Sequence, residues 1–243
     1  MKKLTDQQLS ILTLVGTFGY LATRDIGRLA WPSHPAKSAH VMAQDNASKL
    51  AKAGYLLARD MRLQAGMKQA MPAAKSGIAK GYVLTKKGAE ALNDLHAERF
   101  IETPLPDGAP MLWFADGYNL SMTDHVTREP LIELLHAMTA ADPTLSAVGA
   151  RGASRNFLGL RPYAHFDALL VDEAGQFVFG LYLTNHNTAK SVADVGKLAS
   201  AGDPFLIASS SPHRLATALK WRTACDATLD ASVVARLPID VTA

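Results

Sequence analysis

The sequence predicts a mixed α/β fold in two modules, a basic helical one followed by a more acidic one built on a small sheet. Three observations predict it. Of the 243 residues, 48% are hydrophobic and 19% charged, the composition of an ordinary folded chain. The net charge of +3 is unevenly spread, because residues 1–100 hold 15 Lys+Arg against 7 Asp+Glu and the remainder holds 10 against 15. The two parts therefore carry +8 and −5. Finally, Pro104, Pro106, Gly108 and Pro110 crowd into the stretch where the balance reverses, a composition suited to a linker. The expected division is residues 1–100, a linker over 101–110, and a second domain over 111–243. A sign asymmetry of this kind points to a polyanion as the partner of the first module.

The elements of the first module follow from local signals. Thr5-Asp6-Gln7-Gln8 has the form of a capping box, and Leu9, Ile11, Leu12 and Val15 recur at helical spacing, so a helix is expected over about 5–17. Thr23 is expected to cap a short second helix that stops before Pro32, since proline restricts the residue ahead of it. From Pro35 to Ala53 nothing breaks a third helix, whose Ala43, Ala47, Leu50 and Ala51 form a stripe small enough for close packing. Gly54 ends it. Tyr55 to Arg59 then reads as a strand, Tyr82 to Leu84 as another, and Thr85 as the cap of a fourth helix. Helix, helix, helix, strand, loop, strand, helix is the order of a winged helix-turn-helix.

In the second module, Asp116 to Ala140 is expected to be mainly helical. The apolar runs 164–171 and 176–183 flank Asp172-Glu173-Ala174-Gly175 and read as a β-hairpin. A helix over 191–201, a short buried strand over 205–208 and a helix over 212–224 complete an α/β or α+β arrangement.

A helix-turn-helix places its last helix in the major groove while wing strands track phosphates. Opposite its small-residue stripe the third helix presents Lys37, Ser38, His40, Gln44, Ser48 and Lys49, which are short polar groups for base edges and cations for phosphates. The wing adds Arg59, Arg62, Lys68, Lys75 and Lys80, with Asp60 the one acid among them. Double-stranded DNA is therefore the expected partner. Solvated surface cations and a protein-binding winged helix are the competing readings.

The residues that carry this order also carry a resemblance. KLAKAGYLLARD with GYVLTKKGAEAL, YNLSMTDHVTREPLIELL, and LRPYAHFDALLVDEAGQFVFGLYLTNHNT resemble three segments of the replication-relaxation proteins of plasmid mobilisation and replication. The resemblance implies a winged helix followed by a restriction-endonuclease-like domain. Such domains hold a divalent metal with acids on a hairpin. Where a Pro-Asp is expected this chain has Pro162-Tyr163, and Leu183 and Asn185 stand about where two further acids belong. A leucine and an amide are poor ligands for a hard cation. Asp172 suits a turn and Asp167 a strand position, so neither is assigned to a metal. The resemblance thus implies a nuclease-like domain without its catalytic acids, serving dimerisation or contacts to relaxase or coupling proteins.

Other chemistries find no pattern. Cys225 is the lone cysteine, which leaves no disulfide framework or zinc ribbon. His165, His186 and His213 are scattered, Tyr118, Tyr163 and Tyr182 read as packing residues, and the basic stretch with Arg151, Arg155 and Arg161 reads as a solvated loop. Ser209-Ser210-Ser211 lacks the glycines of a nucleophile elbow. No leader-like N-terminus and no apolar run of about 18–20 residues is present, so a cytoplasmic location without a membrane is expected. The expectation is a non-catalytic, sequence-specific duplex-DNA-binding accessory factor of a mobile element, acting as a homodimer near an origin of transfer, with no metal or cofactor. A plasmid-encoded transcriptional repressor, an active relaxase or nicking endonuclease, and a protein-only adaptor are the alternatives.

Overall fold

The computed structural model of the chain describes residues 4–62, 78–99, 122–149, 166–174, 177–183 and 205–208. Those residues form a mixed α/β structure with two small sheets. The chain divides into two compact units, Met1–Ile132 and Glu133–Ala243. The 101–110 segment expected to be a linker lies outside the described residues.

In the first unit, α1 (Asp6–Phe18) opens on the predicted capping box: Gln8 N donates to Thr5 Oγ1 at 3.3 Å, and Thr5 N donates to Gln8 Oε1 at 3.1 Å. Two of the amides that a helix start leaves without carbonyl partners are thereby satisfied. Thr5→Ala should lower the stability of this unit by about 1 kcal/mol in denaturant unfolding, and an unchanged midpoint would show the box to be idle. Ile11, Leu12 and Val15 are fully buried, as their spacing predicts.

Two departures from expectation follow. Leu21–Ala22 form a short strand, β1, that runs straight into α2 (Thr23–Ala30), so Ala22 rather than Thr23 occupies the N-cap and no side chain caps the helix. Thr23 is its first residue. In α3 (Ala36–Lys52) the buried stripe is Ala39, Ala43, Ala47 and Leu50, whereas Ala51 is only half-buried. Ala39 joins the stripe because α2 approaches there. A Cβ built on Gly27 would lie 2.9 Å from both the carbonyl carbon and oxygen of Ala39, so the helices meet backbone to backbone at a glycine and an alanine.

The C-terminus of α3 closes as a Schellman turn. Gly54, at φ 81°, donates to Ala51 O, and Tyr55 N donates to Leu50 O, both at 3.0 Å, while Leu50 and Tyr55 bury their side chains. The start of α4 (Lys86–Arg99) is built against this turn. Thr85 Oγ1 accepts from Gly88 N at 3.1 Å and donates to Gly54 O at 2.8 Å, and Thr85 N donates to Tyr55 O at 3.1 Å. Lys87 Nζ reaches Ala53 O at 2.7 Å and lies 4.4 Å from the centre of the Tyr55 ring. A cation at a helix C-terminus is favoured by the helix dipole.

Between these helices β2 (Leu56–Arg62) and β3 (Ile78–Leu84) pair antiparallel from Leu56↔Leu84 to Arg62↔Ile78, and β1 pairs with the other side of β3. The sheet order is β1-β3-β2.

α5 (Met122–Ala141) buries Leu131, Ile132, Leu134 and Leu135, and the buried Thr139 donates its hydroxyl to Leu135 O at 2.9 Å. In the second unit β4 (Ser146–Gly149), β5 (Ala168–Val171), β6 (Phe177–Leu183) and β7 (Phe205–Ala208) form a mixed sheet in that order, antiparallel except for the parallel β6–β7 pair. The predicted hairpin is β5–β6. All four residues of β5 are buried, the pattern of a strand covered on both faces. Phe166 lies on Gly180, where a Cβ would run into its ring. The helices expected over 191–201 and 212–224 lie outside the described residues.

Candidate nucleic-acid interface

α3 owes its position to what lies beneath it. The Gly27–Ala39 contact, with Ala43 and Ala47 fully buried behind it, seats one side of the helix against the unit and leaves the other in solvent. Lys37, Ser38, His40 and Gln44 are all exposed there, across the first two and a half turns. The first turn contains no acidic residue, and Pro35 at the N-cap supplies no side-chain acceptor. A helix start of this composition presents amide hydrogens and Lys37 together, an arrangement that favours an anion.

The remaining residues named on this helix are placed differently. Ser48 is half-buried, its hydroxyl 3.5 Å from the Tyr82 hydroxyl of β3, so it joins the helix to the sheet. Lys49 is exposed but bound to Asp45 Oδ2 at 2.6 Å, one turn earlier. To contact a phosphate it must give up or share that carboxylate. Asp45 was not anticipated as part of this face, although its spacing of four from Lys49 is a readable pairing signal. Val41 was also missed. It is 56% exposed in the middle of the polar row, and the signal was its position outside the buried stripe.

On β2, Arg59 is exposed and paired in register with Gly81. Lys80 is in register with Asp60 and Arg62 with Ile78, which places them towards the end of the β2–β3 ladder away from the Leu56–Leu84 pair. Lys68 and Lys75 lie outside the described residues. Part of the charge counted from sequence is occupied within the fold: Lys87 holds the α3–α4 junction, and Arg24 Nε lies 3.6 Å from Asp25 Oδ1.

In the second unit Asp167 is half-buried, its amide donating to Leu181 O at 2.7 Å to extend the β5–β6 ladder. Asp172 is half-buried just after β5, Tyr182 is buried, and Leu183 ends β6. Among the described residues no group of three or more His, Cys, Asp and Glu is placed to hold a metal ion. Tyr118, Pro162, Tyr163, His165, Asn185, His186, His213, Cys225 and the arginines at 151, 155 and 161 lie outside the described residues. Among the described residues no helix is long and apolar enough to cross a membrane. Compared with protein-family models, curated proteins and solved structures, the chain matches none.

Proposed function

We propose that this chain is a sequence-specific, double-stranded DNA-binding protein whose first unit is a winged helix, with α3 as the reading helix and β2–β3 as the wing. One observation carries the proposal. α3 is held by a stripe of alanines on one side and offers Lys37, Ser38, His40 and Gln44 to solvent on the other. A face of short polar and cationic groups at the N-terminal half of an exposed helix suits the edges and phosphates of a major groove. The basic balance of residues 1–100 and Arg59 on the wing support the same reading.

The finer proposal rests on the three sequence segments. It is that of an accessory factor of a mobile element, binding near an origin of transfer, with the second unit a nuclease-like domain used for dimerisation or for relaxase and coupling-protein contacts rather than cleavage.

The test is a gel shift of the full chain on fragments of the replicon that encodes it, run at rising salt and followed by footprinting. Binding through about six or more phosphates weakens steeply between roughly 50 and 200 mM salt. Protection of a defined site near the transfer origin supports the proposal. A lack of salt-sensitive affinity for every fragment removes DNA binding. Protection restricted to a promoter replaces the accessory role with that of a repressor, and Mg²⁺-dependent conversion of supercoiled plasmid to open circles overturns the non-catalytic reading.

A further inference from the structure

Val41 is the apolar exception on the α3 face, and its location makes it informative. At about 100° per residue it lies about 180° around the helix from the fully buried Leu50, at the point farthest from the core. Its exposure is therefore no margin effect of a wide hydrophobic stripe. It faces outward at 56% exposure in the second turn, with Lys37 and Ser38 one turn before it and Gln44 and Asp45 one turn after it, all four exposed. Folding gains nothing from a β-branched residue there, since valine is a weaker helix former than alanine and stays in water.

We infer that Val41 is a specificity-determining residue that packs on the 5-methyl group of a thymine in the major groove. Thymine is the one base that presents a methyl group there, and apolar side chains are its natural contacts. The surroundings favour this partner over a protein. A single isopropyl group framed by a lysine, a serine, an amide and a carboxylate is too small for the apolar centre of a protein interface. It matches the size of one base-edge methyl, and the flanking polar groups are of the kinds that hydrogen-bond adjacent base edges or phosphates. The inference rests on the duplex-binding reading above.

The experiment selects bound sequences from a pool of random 20-base-pair duplexes with the full chain, then measures affinity for the selected consensus with each thymine replaced in turn by deoxyuridine. Val41→Ser and Val41→Thr are compared with the wild type. The expected result is that one replacement weakens wild-type binding about fourfold, the effect of losing one buried methyl group. Val41→Ser should bind the thymine and deoxyuridine duplexes equally, and Val41→Thr, which keeps a methyl, should retain a preference for thymine. If wild-type binding is indifferent to every replacement, or if Val41→Ser preserves the discrimination, the inference fails while the DNA-binding reading stands. If no duplex is enriched from the pool, the DNA-binding reading fails and takes this inference with it.

Discussion

Gly81→Ala should destabilise the first unit by about 2–3 kcal/mol, the upper part of the range for overpacking a closed site. A Cβ on Gly81 would sit 2.5 Å from the carbonyl oxygen of Leu21 and from the ring of Tyr20. Neither neighbour has an easy way out. Tyr20 is 2% exposed, and the Leu21 backbone is fixed by its pairing with Tyr82. Replacing glycine elsewhere in a strand usually helps slightly, by restricting the unfolded chain by roughly 0.4–1 kcal/mol. Here that gain is smaller than the clash, so the net sign is destabilising. Because the chain has two units, hydrogen exchange of the β1 and β3 amides is a cleaner measure than a single melting temperature. Unchanged protection of the Tyr82 amide would show that the ring moves aside at little cost.

Lys37→Ala combined with Arg59→Ala should lower affinity for duplex DNA by about one to two orders of magnitude at low salt and reduce the salt slope by about 2, one for each phosphate that is no longer neutralised. These two are chosen because both are exposed and neither makes an ion pair among the described residues, whereas Lys49 is already bound to Asp45. Anisotropy of a labelled 20-base-pair duplex across a salt series gives both quantities. Lys87→Met is the control. Its ammonium is committed to Ala53 O and the Tyr55 ring, so it should lose stability and leave the slope unchanged. A slope that falls in proportion to the charge removed, by about 1 for Lys87→Met and about 2 for the double variant, would show that total charge, rather than the α3 face and the wing, governs binding.

Much of the first unit is legible in the sequence because its punctuation is local. Thr5 with Gln8, Pro32 after α2, Gly54 after α3 and Thr85 before α4 act within a few residues of where they stand. What escaped is non-local. β1 is two residues long and exists through pairing with β3, some sixty residues later, and that strand leads into α2 and displaces Thr23 from the cap. Ser48 looks like a surface residue on a helical wheel until Tyr82 arrives from β3. β4 is short and weakly apolar, although the turn ahead of it is readable: Asp142 Oδ1 accepts from Thr144 N at 3.0 Å, an Asx-type turn. On α3, Lys37, Ser38, His40, Gln44 and Lys49 are exposed, as the sequence pattern predicts, and Ser48 is not. The pattern does not carry which exposed groups already have partners, and Val41 is an apolar residue within a polar row, where helical periodicity gives it no core role.

The junction of α3 and α4 has an evolutionary consequence. Thr85 N binds Tyr55 O, and Thr85 and Lys87 hold the carbonyls of Ala53, Gly54 and Tyr55 just past α3, so the two ends of the 56–84 segment are clamped together. The β2–β3 ladder is anchored at that end and again where β3 pairs with β1. With both anchors in place, the length of chain between Arg62 and Ile78 can change at small entropic cost, because closure entropy grows only slowly with the number of residues closed. Reach along a target can then diversify among descendants of this chain while the angle between the two helices is inherited unchanged.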